Sequence, residues 1–284
     1  MIRPRSVPGL HVICPDDQLE REDALLTMSA LCTAGGAGLA LHLRPRRVSA
    51  RRCWELARAL SPISSRTGGW IVINGRTDVA KLIDVDAVQL GHGALPIDAA
   101  RELLGGDCAI GVSVHSEAEA FRADQAGADF LLLGTIFPTA SHPDEPGAGV
   151  SRIHGCFGLE APVIAIGGID ESRVSTVIEA GASGVAVIRA VWGAHDPADA
   201  VRRLIAELET SRLRSGIRMR IEVNGKPVEL ESSGTVQDLL HELGLDSRMV
   251  VVERNREIVR RDDLEAVRVA EGDSYEIVQF VGGG

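Results

Sequence analysis

The chain has 284 residues, 45% of them hydrophobic, enough to bury a large core in one big domain or two unequal ones. A formal net charge of −10 argues against nucleic acid or an anionic membrane as the main partner. With no apolar run of about 18 residues and no signal-peptide pattern, the expectation is a cytosolic protein that neither spans nor coats a membrane.

Over the first two hundred residues, short apolar runs alternate with amphipathic stretches. Strands are expected at residues 11–14, 39–43, 70–73, 87–90, 109–112, 130–133, 163–166 and 184–188, with helices at 51–60, 117–126, 171–180 and 197–207. Near-continuous apolar strands are those covered on both faces, so eight β/α units predict a closed (β/α)8 TIM barrel. An open doubly wound sheet is the alternative. The barrel is preferred because residues able to do chemistry recur after nearly every strand, as at a barrel's C-terminal mouth. Cys14, Cys32, Cys53, Cys108 and Cys156 lack metal-ligand or CxxC spacing and read as packed small residues.

After the seventh strand, Gly167-Gly168 leaves backbone N–H groups open to a phosphate, and Ile188-Arg189 follows the eighth. Arg44 and Arg46, after the second, are candidates for a carboxylate or phosphate clamp, because guanidinium pairs with oxyanions in bidentate fashion. Asn74, Ser113, Thr135 and Thr139 end or follow other strands and are candidate substrate contacts. Histidines occur at the same rim. His142 lies in a Ser-His-Pro loop after the sixth strand and ranks first as proton carrier, with His115 and His92 as alternatives or orienting groups. Asp78 reads as a helix cap.

Periodicity fades over residues 207–218, which places a boundary near Ser215-Gly216 and divides the chain into residues 1–214 and 215–284. Beyond it, residues 219–224 and 227–231 alternate around an Asn224-Gly225 turn and predict a hairpin. Thr235 can cap a helix carrying Val236, Leu239, Leu240 and Leu243, with Gly244 placed to end it. Strands follow at 249–253 and 275–280, separated by a turn-rich excursion. Glycines 282–284 close the sequence. Lacking Cβ atoms, Gly283 and Gly284 could thread a narrow channel and offer a terminal carboxylate for reaction.

In this order, His42-Leu43-Arg44, Asn74-Gly75-Arg76, Ser113-Val114-His115-Ser116, Gly134-Thr135 through His142 and Ile166-Gly167-Gly168 resemble the thiamine phosphate synthase superfamily over roughly residues 9–208. Synthases of that superfamily couple a pyrimidine pyrophosphate to a thiazole phosphate with Mg²⁺ held by two carboxylates. Gly75 and Ala94 stand at those positions, so the resemblance is closer to the thiazole tautomerase branch, which implies proton transfer on a thiazole carboxylate phosphate without metal or cofactor. A tautomerase of this branch has its base histidine where this chain has Thr135. Residues 218–284 resemble the ubiquitin-like β-grasp sulfur carrier of thiamine biosynthesis. That likeness implies a thiocarboxylate at Gly284, with an ATP-using adenylating enzyme and thiazole synthase as partners. A bifunctional thiazole protein is the resulting expectation, and a homo-oligomer is compatible with it. The alternatives are a thiamine phosphate synthase fused to the carrier, and a non-catalytic scaffold that binds thiazole phosphate.

Overall fold

The computed structural model describes residues 7–139, 147–214, 219–230, 235–265, 267, 269 and 273–279. Contacts divide the chain into two units, Met1–Ser211 and Arg212–Gly284.

In the first unit, parallel strands β1 (Leu10–Cys14), β2 (Leu39–Leu43), β3 (Trp70–Asn74), β4 (Ala87–Leu90), β5 (Ala109–Val114), β6 (Phe130–Leu133), β7 (Val163–Ile166) and β8 (Gly184–Val187) form a closed barrel in sequence order. Pairing of β8 with β1 makes the seam. Val185 N–H donates to Gly9 O across it at 2.9 Å, and a Cβ on Gly184 would overlap that carbonyl. Both strand faces are buried. Leu10, Val12, Leu41 and Leu43 belong to the larger cluster that includes helical residues such as Leu56, Leu60 and Val201, whereas Ile13, Trp70, Val72, Phe130 and Ile164 form the second core. Alanines at 40, 87, 109 and 186 leave room there for Trp70 and Phe130, whose rings meet edge-on at 6.3 Å.

The helix expected over 51–60 is longer, Ala50–Thr67. Ser49 caps it by accepting the Arg52 N–H at 3.2 Å, and it runs on through the exposed Pro62, with Leu60 and Ser64 buried on its inner side. Asp78 is not at the N-cap, which is Arg76, but in the first turn of the helix Thr77–Lys81, where it pairs with the Arg76 side chain at 2.8 and 2.5 Å. All five cysteines are free and buried.

The second unit has its own sheet, ordered β10-β9-β13-β11-β12, with β9 (Met219–Val223), β10 (Lys226–Leu230), β11 (Val250–Arg254), β12 (Glu257–Val259) and β13 (Ser274–Gln279). β9 and β13 run parallel at its centre. Ile221, Leu239, Leu240, Val252, Tyr275 and Ile277 form its core. Thr235 and Asp238 close a capping box on helix Val236–Glu242, and Gly244 takes φ 70 just beyond it. Asn224 joins the first hairpin to β13 through both amide ends, accepting from Ile277 N–H at 2.7 Å and donating to Ile277 O at 3.1 Å.

One strand was hidden in the sequence. β12 lies inside the segment read as a turn-rich excursion, reached through Asn255 and Arg256, both at positive φ. An arginine in that conformation carries no turn signature. Gly283 and Gly284 lie outside the described residues. No described helix is long and apolar enough to cross a membrane.

Candidate active site at the barrel mouth

A cavity of about 860 Å³ opens where the barrel strands end. Arg44, Arg46, Asn74, His92, Ser113, His115, Thr135, Thr139, Gly167, Gly168, Ile188 and Arg189, all singled out from sequence, line it together. His142 lies outside the described residues.

Positive φ at Gly167 (106°) and Gly168 (63°) turns the chain sharply after β7. A Cβ on Gly168 would come within 2.6 Å of the Pro138 carbonyl oxygen, so this position closes to any side chain. Arg173 staples the turn by donating to the Gly168 carbonyl while its guanidinium lies 4.8 Å from the Phe137 ring centre. It also lines the cavity. Sequence reading passed over Arg173, although a cation five residues beyond a Gly-Gly turn is a usable signal for an anion site.

Across the mouth, the loop after β2 is organised by a buried carboxylate. Asp16 Oδ1 accepts N–H bonds from Arg46 (2.8 Å), Arg47 (3.1 Å) and Val48 (3.3 Å). Burial raises the Asp16 pKa, but these backbone donors and the Arg47 side chain outweigh it, so the carboxyl sits below its ordinary range. The Arg44 guanidinium is pushed down by burial and then by Arg46, a tension that a bound anion would relieve. Asp16→Asn exchanges an acceptor for a donor against backbone N–H groups, and it is expected to lose about 1–3 kcal/mol of stability, read from urea unfolding.

Between these ends, His115 leaves β5 with its ring held. Its Nδ1 is 2.9 Å from the Gly134 carbonyl oxygen, which can only accept, so Nδ1 is the donor and, in the neutral tautomer, Nε2 is the nitrogen without a proton. The His115 N–H donates to Glu119 Oε2 at 2.8 Å, and Ser116 caps the same helix start. His92 is exposed at the rim.

Gly75 and Ala94 line the cavity and offer no side-chain oxygen. Asp78, nearby in sequence, is engaged by Arg76. Among the described residues, no group of three or more His, Cys, Asp or Glu could hold a metal ion. This donor set does not fit the Mg²⁺ of a synthase, which needs oxygen ligands.

Behind Asn74 lie two wholly buried histidines, His11 and His42. Burial holds His42 down to about 4, and burial followed by the His42 charge holds His11 well below its usual value. Unfolded histidine binds protons below about pH 6.5, while these two stay neutral in the fold, so the unfolded state binds more protons in that interval. Stability is therefore expected to be full above pH 6.5 and to fall as pH drops toward 4, with Asp16 adding a further loss below the normal aspartate range. A urea midpoint that stays flat from pH 7 to about 4.5 would contradict this.

Residues 10–191 match the family model of thiamine monophosphate synthase, and residues 221–284 match the ThiS family. Thiamine-phosphate synthase of Chlorobium luteolum is 38% identical over 211 residues, covering 74% of this chain and 97% of that protein. The protein of the same name from Moorella thermoacetica is 40% identical over 175 residues, covering 60% of this chain and 82% of its own. Thiamine phosphate pyrophosphorylase from Pyrococcus furiosus superposes with a TM-score of 0.63 at 32% identity, over 72% of this chain and 96% of that one. These names favour the coupling reaction, held as the alternative in the sequence reading, over the tautomerase branch. The chain belongs to the thiamine monophosphate synthase family and carries a ThiS-family sulfur-carrier domain behind its barrel.

Proposed function

We propose that the barrel isomerises a thiazole carboxylate phosphate, and that the second domain carries sulfur, as a thiocarboxylate on Gly284, for the thiazole synthase that builds this ring. The observation that carries the barrel reading is the pair Gly75 and Ala94, side by side with anion-binding groups in one cavity yet without oxygens for a hard cation. In this reading the phosphate sits at Gly167, Gly168, Ile188 and Arg189, and the carboxylate faces Arg44 and Arg46. His115 Nε2 takes the ring C–H proton, the electron pair moves through the ring into the exocyclic double bond, and the same proton returns to the exocyclic carbon. One C–H bond breaks and one forms, with no net proton and no cofactor. ATP belongs to the partner that adenylates the carrier. Tethering carrier and barrel raises the local concentration of each near their shared partner.

The second reading, coupling of a pyrimidine pyrophosphate to a thiazole phosphate, is supported by the relatives' names, which back it better than they back isomerisation. One experiment separates the two: supply both coupling substrates with Mg²⁺, then with a chelator, beside a proton-exchange assay on the thiazole carboxylate phosphate. Metal-independent exchange with negligible coupling is expected. Coupling at a rate typical of synthases that stops on chelation would transfer the assignment to the second reading, and binding without either reaction would leave a scaffold.

A further inference from the structure

The two buried histidines form a line that leads to the cavity. His11 Nε2 is 3.0 Å from Pro8 O, His11 Nδ1 is 2.8 Å from His42 Nε2, and His42 Nδ1 is 2.9 Å from Asn74 Oδ1. All four ring nitrogens are occupied, none of them by a carboxylate. At one end stands a backbone carbonyl, which only accepts, so His11 Nε2 must carry a proton. If His11 is neutral, its Nδ1 is bare and His42 must donate from Nε2. A neutral His42 then has a bare Nδ1, and it faces an oxygen. Three hydrogen bonds with acceptors at both ends need three ring protons, one more than two neutral imidazoles possess.

Two solutions exist: the pair holds an extra proton, or the amide is turned. The surroundings oppose the extra charge. Both rings are fully buried, His11 packs 5.2 Å from the Phe130 ring centre, and the charged group acting on His42 is the Arg44 cation. The two ends of an amide are nearly isosteric, so a half-turn of the terminal torsion puts Nδ2 where Oδ1 stands and satisfies every contact with two ring protons.

We propose that His11 and His42 are a neutral positioning pair that turns the Asn74 amide, its N–H toward His42 and its carbonyl oxygen toward the cavity. The neighbouring strand places a second amide beside it. Asn74 is the register partner of Gln89, which is 2% exposed, donates from Nε2 to Ser113 Oγ at 3.0 Å and leaves Oε1 without a partner. The space for that amide exists because residue 111 is glycine: a Cβ there would overlap both Gln89 Oε1 and the Phe130 ring. Gln89 Oε1 is itself sealed against Gly111 and the Phe130 ring, so the acceptor this wall presents to the cavity is the Asn74 oxygen. It takes an N–H or O–H donor, from ligand or water, and turns carboxylate and phosphate toward the arginines and the β7–β8 end.

The proposal is tested on the full chain labelled with ¹⁵N-histidine, without substrate, so the result is independent of which reaction the barrel performs. Long-range ¹H–¹⁵N correlations at neutral pH are expected to show both rings uncharged, each with its proton on Nε2 and with Nδ1 at the bare-nitrogen position. A proton on His42 Nδ1, or an imidazolium at either ring, overturns it. In Asn74→Asp the carboxylate can only accept, so the His42 Nδ1 resonance is expected to move to the protonated position as the pair takes up a third proton. An unchanged neutral His42 in a folded Asn74→Asp variant whose introduced carboxyl is ionised, read from its carbon-13 shift, also overturns it, and if that carboxyl stays protonated or the variant does not fold, the native spectrum decides alone.

Discussion

His115→Gln is expected to slow thiazole isomerisation by about 10²–10⁴-fold, the usual loss when a general acid/base is removed. Its ring lines the cavity and is held through Nδ1 by the Gly134 carbonyl, which leaves Nε2 as its nitrogen for proton exchange. Glutamine keeps size and hydrogen bonding but cannot shuttle a proton, so the fall belongs in kcat, with product affinity little changed. His142→Gln is the comparison, since the sequence ranks His142 first. Nearly full activity in His115→Gln with an inactive His142→Gln would assign the proton to His142. If both retain activity, His92→Gln is the next comparison, and only if all three variants remain active does Thr135 or a water take the role.

Removing Gly283 and Gly284 is expected to abolish sulfur loading outright while leaving proton exchange by the barrel intact. The ThiS-family match extends through residue 284, and the barrel's core residues lie within a separate unit. Intact-protein mass spectrometry after incubation with an adenylating partner, ATP and a sulfur donor should show replacement of one oxygen by sulfur in the native chain alone. No mass change in the native chain, under conditions that load a working carrier, would refute the thiocarboxylate. Because the shortened chain retains all of β13, its thermal unfolding should match that of the parent.

Barrel strands were legible because each is a short apolar run covered on both faces: the expected 39–43, 87–90, 130–133 and 163–166 coincide with β2, β4, β6 and β7. Mouth residues were legible for a related reason, since a residue just past a strand's C-terminal end has one direction to face. Side-chain pairing across strands was not. Asp16 reaches Arg46 over thirty positions, and His11 reaches His42 over thirty-one, through the parallel pairing of β1 with β2, which no local pattern encodes. Gln89 falls inside the expected strand 87–90 and was not a site candidate, because its importance lies in an unmatched atom. β12 was missed since its turn is built from Asn255 and Arg256, where an arginine occupies a conformation glycine normally signals.

The central position of β13 in the carrier sheet bears on how this polypeptide emerges from the ribosome. β9 opens the domain in sequence and β13 comes last among its strands, yet they are parallel neighbours at mid-sheet, with β11 paired to β13 on the other side. Until residues 274–279 have been synthesised, the β9–β10 hairpin and the β11–β12 hairpin have no strand to join them, whereas every barrel strand is complete by residue 187. Translation thus delivers a finished barrel well ahead of any carrier. A nascent chain that stalls before β13 therefore carries every strand of the barrel, followed by a ThiS-family segment that lacks the central strand of its sheet.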